Sequence, residues 1–448
     1  MRPLLRPIVT LGLVFAFAPS SYCQPPSAPP APVTLGPLLD AALANNRTMK
    51  IAEADAAIAA DQARAARTHQ WPNFDVQMFS GPVSAFDFTF RTGTFGAFPA
   101  TGPVPPTETK VNSPLRVATF LQVQASQPLT QLWRVRLTVR QRELERDIME
   151  ERRRARAQTI ASDVRRLFYA VLEAQSAVAA AEANVTLHRE LLRLAQEKLA
   201  AQTAFHADVL VAQAELGRRE HTRTSLRNSL ATLRQQLGLL VGQDLDAAAP
   251  LTPVDDVPRT EIDLAGAQAR ARTQRPGLRE AELRVQQAQH GVEAKRSERI
   301  PDISAVARFV GLDNLEVLPT SVTAIGLFAT WQPFDWGRKR REISASTRVL
   351  AQSELTLEEA RAQVRVEVDT HFRLLAEARD LVAVVELARQ AANEQLTLVR
   401  VRFDAQSALR SDLLRAEAAA ADAERDYRRA LLQSWTAEAD LQRTIGEM

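Results

Sequence analysis

The chain has 448 residues, 46% hydrophobic and 24% charged, enough for two or three domains and unlike a disordered chain. Lys and Arg total 56 against 53 Asp and Glu, so the net charge is only +3 and nucleic-acid binding gains no support. One Cys excludes a disulfide framework and a Cys-based zinc site, and beyond the N-terminus no run of about 18 apolar residues could span a membrane as a helix.

Residues 1–23 read as an export signal. Arg2 and Arg6 precede an apolar run from Ile8 to Ala18, and small residues follow. Cys23 sits where a bacterial lipoprotein is cleaved and acylated. Tyr22 is bulky for that role, so acylation of Cys23 and ordinary cleavage nearby both stay open. Residues 24–33 form a Pro-rich tether.

Proline then punctuates the chain. None occurs between Pro128 and Pro250, and none after Pro333. These gaps permit long helices, and they are filled with Ala, Leu, Arg, Glu and Gln. Residues 130–199 predict one helix of about 105 Å at ~1.5 Å per residue. A second runs from about Ala204 to Val241. After Pro333 a long helix reaches about Phe403, and another runs from Ser411 to the end. Long helices with so many Ala contacts need partners to bury their stripes.

The chain also repeats itself. Gln202 falls on Gln406, Asp208 on Asp412 and Gly242 on Gly446 at an offset of 204. Gln127-Pro128 falls on Gln332-Pro333 at 205, and Trp71-Pro72 on Ile300-Pro301 at 229. We read a first repeat over 34–242, a linker over 243–262 and a second repeat over 263–446. Each has the order helix, strand, strand, long helix, helix.

The strands are expected at 73–79, 115–127, 302–310 and 321–332. The first three alternate polar and apolar residues, whereas the last is apolar on both faces and its phase is open. One polar face suits a barrel with a wet lumen, although a half-buried soluble sheet has the same periodicity. The export signal and the unshielded edges of four strands favour the barrel. The Phe-rich loop 80–114 is either an exposed hydrophobic loop or a folded-in plug.

Ordered and duplicated, these segments resemble the TolC-like outer-membrane efflux proteins. LGPLLDAALANNRTMKIAEADAAIAA resembles the family's first helix, and RPGLREAEL the opening of its second repeat. WPNF and IPDI resemble its helix-to-strand passages. QPLTQLWRVR and QPFDWGRKRR resemble its strand-to-helix exits, and LGLLVG and LQRTIG its repeat ends. The resemblance implies a mainly α fold with a small β part, built as a homotrimer. Long antiparallel helical hairpins would form a coiled-coil α-barrel in the periplasm. Four strands per protomer would contribute to a twelve-stranded barrel in outer-membrane lipid. It implies a passive exit duct without enzymatic chemistry, cofactor or metal. The implied partners are a periplasmic adaptor and an inner-membrane pump of RND or ABC type.

It also places the periplasmic tip at 199–212 and 403–416. Asp208 and Asp412 would form acidic rings in a trimer, or serve their helix N-termini, or both. Arg410 and Arg415 could pair with Asp412 or face water. Gln202 and Gln406 stand where relatives usually have Gly, so the adaptor-docking motif is not matched.

Other chemistry is thin. Arg152, Arg153, Arg154 and Arg156 lie in a Glu-rich stretch, which favours a solvated face. The six His show no i, i+4 pair for a metal. Trp331 and Trp336 suit either a membrane border or core packing. The rival reading is a soluble or lipid-anchored periplasmic coiled-coil adaptor. It would need a Gly- and Val-rich domain between the arms, which the sequence lacks.

Overall fold

The computed structural model describes residues 33–83, 87–112, 116–243, 251–258, 263–313 and 320–447. The export signal, Cys23 and most of the tether and linker lie outside them.

Two similar halves follow one another. The first holds α1 (Leu35–Asn45), α2 (Arg47–Thr68), β1 (Asn73–Val83), the short strands β2 to β5, β6 (Arg116–Pro128), α3 (Leu132–Ala200) and α4 (His206–Val241). The second holds α5 (Leu264–Gln274), α6 (Pro276–Ser297), β7 (Asp302–Asp313), β8 (Ser321–Thr330), α7 (Arg338–Asp404) and α8 (Arg410–Ile445). Corresponding helices have 11 and 11, 22 and 22, 69 and 67, and 36 and 36 residues.

Three expectations are corrected. The single opening helix of each half is two helices. Asn46 breaks the first because its Oδ1 accepts from the Thr48 and Met49 amides, while its Nδ2 donates to the Leu240 carbonyl at 2.7 Å. Pro276 breaks the second, occupying the first helical turn where no amide is needed. The expected strand 321–332 ends at Thr330, because Gln332-Pro333 cannot continue a ladder. The loop 80–114 is largely ordered as antiparallel pairs: β1 extends to Val83, β2 (Asp87–Phe90) pairs with β5 (Thr109–Asn112), and β3 (Ala97–Phe98) pairs with β4 (Gly102–Pro103). Phe95 and Phe98 are exposed there, and Phe90 meets Phe95 at 5.2 Å.

The four long strands form one antiparallel sheet in the order β1-β6-β7-β8. Its register settles the phase that the sequence left open. Phe74 sits opposite Ala125, Ala125 opposite Ala307, and Ala307 opposite Ile325. Val76, Val123 and Phe309 form the next row on that face. Ile325 and Leu327 therefore belong to the apolar face, with Val76, Met78, Leu121 and Val123. The opposite face carries Asp75, Gln77, Gln122, Gln124, Ser304 and Arg308. There the Arg308 guanidinium donates to Gln124 Oε1 at 2.8 and 3.0 Å.

The best-buried core lies midway along the helices. Phe168 and Val171 of α3 pack with Leu38 and Ala42 of α1 and with Leu237 and Val241 of α4. Leu251, in the described part of the linker, joins this core and bridges to Val33. A second cluster gathers Val368 and Leu375 of α7 with Leu441 and Ile445 of α8. Helix ends are locked the same way in both halves. Gly242 and Gly446 are left-handed, and a Cβ there would meet Asn45 at 3.0 Å and Gln274 at 2.7 Å. Asn45 and Gln274 are the corresponding last residues of α1 and α5. Among the described residues no helix is long and apolar enough to cross a membrane.

Candidate functional site: the helical tip and the strand sheet

At the tip farthest from the sheet, α3 turns into α4 and α7 into α8. The two turns have the same build. Gln202 and Gln406 both have φ of 58°, the left-handed conformation that Gly adopts at no steric cost. At both turns Gln adopts this conformation where Gly would do so without strain. The turns hold it with helix-closing bonds. Gln202 N donates to Leu199 O and Thr203 N to Lys198 O, both at 2.9 Å. Gln406 N donates to Phe403 O at 2.9 Å and Ser407 N to Arg402 O at 2.8 Å. The Thr203 and Ser407 hydroxyls donate to the same Lys198 and Arg402 carbonyls.

Asp208 and Asp412 sit in the first turns of α4 and α8. Asp208 Oδ2 accepts from the Phe205 amide at 2.9 Å, and Asp412 Oδ2 from the Leu409 amide at 3.3 Å. Each carboxylate thus caps its helix and favours the dipole. Their surroundings differ. Arg415 donates to Asp412 Oδ1 at 3.2 Å, whereas Asp208 is exposed and has no ion pair among the described residues. Arg410 turns away from Asp412 toward Glu190 of α3, at 3.8 Å.

Glu190 was not found from sequence. It is buried, and its carboxyl is held below the usual range first by hydrogen bonds from Arg193 and then by the charges of Arg193 and Arg410. The available signal was a helical i, i+3 Glu-Arg pair, one of many in α3. The Arg152–Arg154 run is a largely exposed face, as expected, and it is ion-paired, with Arg152 reaching to α6. Arg152 meets Glu280 at 2.9 Å, Arg153 meets Glu150 at 2.7 Å, and Arg154 meets Glu151 at 2.8 Å.

A polar-lined sheet continued by helices of 69 and 67 residues defines a class of protein, a barrel-and-tunnel conduit. The sequence matches the outer membrane efflux protein family over residues 103–243 and 268–447, and the chain belongs to that family. The two matched stretches fall one in each half of the duplication.

Solved structures agree in fold. The Campylobacter jejuni CmeC outer membrane channel is similar with a TM-score of 0.75 and 15% identity, covering 92% of this chain and 85% of that one. A membrane protein from Pseudomonas aeruginosa gives a TM-score of 0.73 at 18% identity, covering 93% and 91%. The Neisseria gonorrhoeae MtrE outer membrane channel, in its open state, gives 0.69 at 18% identity, covering 92% and 89%. No curated protein matches significantly by sequence. The chain is an efflux exit channel of the cell outer membrane, with a TolC-like fold and a helical extension into the periplasm. The family works as a trimer, with a periplasmic adaptor and an inner-membrane pump.

Proposed function

We propose that three copies close one duct whose periplasmic end is gated by the two tips of each chain. The observation that carries this is the duplicated turn, with its strained Gln and its Asp in the next helix. In a threefold assembly Asp208 and Asp412 form acidic rings, which favour cations and repel one another. Asp208 carries more of that field, because Arg415 offsets Asp412. The Arg410–Glu190 contact ties α8 to α3 and holds the second tip against the long helix of the first half.

Trimer closure is supported by the distribution of burial. α3 buries 18 residues over its length, α7 only five. Val366, Leu381, Val384 and Leu387 of α7 are exposed in the single chain. Among the described residues β1 and β8 are the open edges of the sheet, which a neighbouring copy would satisfy.

Domain limits follow the duplication: signal 1–23, tether 24–33, repeats 34–242 and 263–446, linker 243–262. The pump is of the RND or ABC type, and it supplies the energy. Acylation of Cys23 would add a lipid anchor; labelling with a palmitate analogue tests it, and an unlabelled mature protein ends that idea.

Planar-bilayer recording tests the gate. Asp412→Ala, alone or with Asp208→Ala, is expected to raise trimer conductance, and Asp208→Asn to lower cation preference. Unchanged currents in all three remove these residues from the gate.

A further inference from the structure

The junction between sheet and helices holds aromatic and basic residues that the conduit does not use. Four of the five Trp lie here: Trp71, Trp133, Trp331 and Trp336. All four are exposed, with Phe334 and Ile300 beside them in the chain order. Trp331 follows β8 in the phase of its apolar face, after Ile325, Leu327 and Ala329. The apolar face of the sheet thus continues to the junction.

Trp336 is held there at a cost. Its φ is 54° and that of Gly337 is 84°, so two left-handed residues stand in succession. A bulky residue in that region is strained, because its Cβ crowds the following carbonyl oxygen. Asp335 fixes the bend: its Oδ1 accepts from the Gly337 amide at 3.1 Å, and its Oδ2 from the Lys339 amide at 3.0 Å. The result leaves Trp336 88% exposed, with Phe334 edge-on to it at 4.9 Å as its only ring contact among the described residues. Among the described residues the Trp336 indole makes no hydrogen bond that would offset the strain.

Four cations follow at once: Arg338, Lys339, Arg340 and Arg341. Arg338 pairs with Glu342, and Lys339 Nζ donates to the Gln332 carbonyl. Arg340 and Arg341 are exposed and have no ion pair among the described residues. Cations at the start of a helix oppose its dipole, so they do not serve α7. Across the junction Arg136 is exposed in the same way in α3.

We propose that this junction is a collar for anionic phospholipid of the periplasmic leaflet. The aromatic rings lie at headgroup depth. Arg340 and Arg341 take the phosphate and the acidic headgroup. The proposal rests on the outer-membrane barrel, which sets where the leaflet ends. It commits to lipid over a second protein copy because the site joins an apolar sheet face to unpaired positive charge.

Nanodiscs test it. Purified trimers are offered phosphatidylglycerol or phosphatidylcholine, and retained lipid is counted by native mass spectrometry. Wild type is expected to prefer phosphatidylglycerol, less so as salt rises. Arg340→Gln with Arg341→Gln should weaken that preference roughly tenfold or more, at about 1 kcal/mol for each charge. Trp336→Gly relieves backbone strain, so retention lost in that variant is not the result of unfolding. Wild-type trimers that conduct yet hold both lipids equally overturn the collar and leave the channel standing. A crosslink from residue 336 to a neighbouring protomer would also overturn it, because a second copy would then occupy the site.

Discussion

Gly446 shows how one missing atom holds a half together. Its φ is 92°, and a Cβ would come within 2.7–2.9 Å of the Gln274–Arg275 backbone. Backbone cannot move aside as a side chain can. Gly446→Ala is expected to cost about 2–4 kcal/mol, the sum of left-handed strain and overpacking. Gly242→Ala meets Asn45 at 3.0 Å and should cost less. Thermal unfolding of the two variants ranks them.

His188 is a second residue-scale case. Burial, and then the nearby Arg219, push its imidazole below the usual value. The unfolded chain therefore binds the proton more readily. Stability should fall as pH drops below about 6.5 and level off once the folded imidazole also charges. His188→Gln should flatten that part of the denaturation profile; an unaltered profile would assign the slope elsewhere. Gly446 was legible in sequence as a repeat end, because its partner Gly242 marks the same place. His188 was not, since its neighbour Arg219 lies on another helix and no local pattern joins them.

At the scale of elements, the sheet gives the sharpest test. Register puts Ile325 on the apolar face and Ala324 in the row of Asp75, Gln124 and Arg308. Ile325→Arg places a charge toward lipid and should cost about 2–4 kcal/mol. Ala324→Arg places it toward the polar lumen and should be tolerated. Trimer yield in membranes distinguishes the two, and equal yields would reverse the assignment of faces. The sequence could not decide this strand because Val322, Ile325, Leu327 and Phe328 are apolar in both phases. Only pairing with β7, whose alternation is clear, fixes it. The long helices were legible to within a few residues, since proline leaves their limits in plain view. The α1–α2 break was hidden because Asn46 acts through a carbonyl 194 residues away.

At the scale of the whole molecule, the two halves are alike in plan and unlike in environment. α3 is the central helix, packed against α2, α4, α6 and α8, whereas α7 lies at the side of the chain. Val384 and Leu387 are 64% and 68% exposed on it. Changing both to Glu should leave the helical circular-dichroism signal in place and convert trimers to monomers on native gels. Trimers that persist would put the subunit contact on another face. The duplication was readable as an ordered series of matches. Which copy becomes the interior helix was not, because α3 and α7 have similar composition and differ chiefly in what surrounds them.

The open sheet has a consequence for how the protein reaches its membrane. Among the described residues, β1 and β8 are the edges of the sheet, and in a lone chain the backbone amides and carbonyls on their outer sides find no strand to pair with. Hydrocarbon offers none, and each exposed group would cost several kcal/mol there. Helices need no such help, since their hydrogen bonds are internal. A newly exported chain can therefore acquire its periplasmic arms alone, but it can enter lipid only in company. On the proposed trimer, insertion depends on protomers meeting first, and its yield should fall more than in proportion when export is slowed.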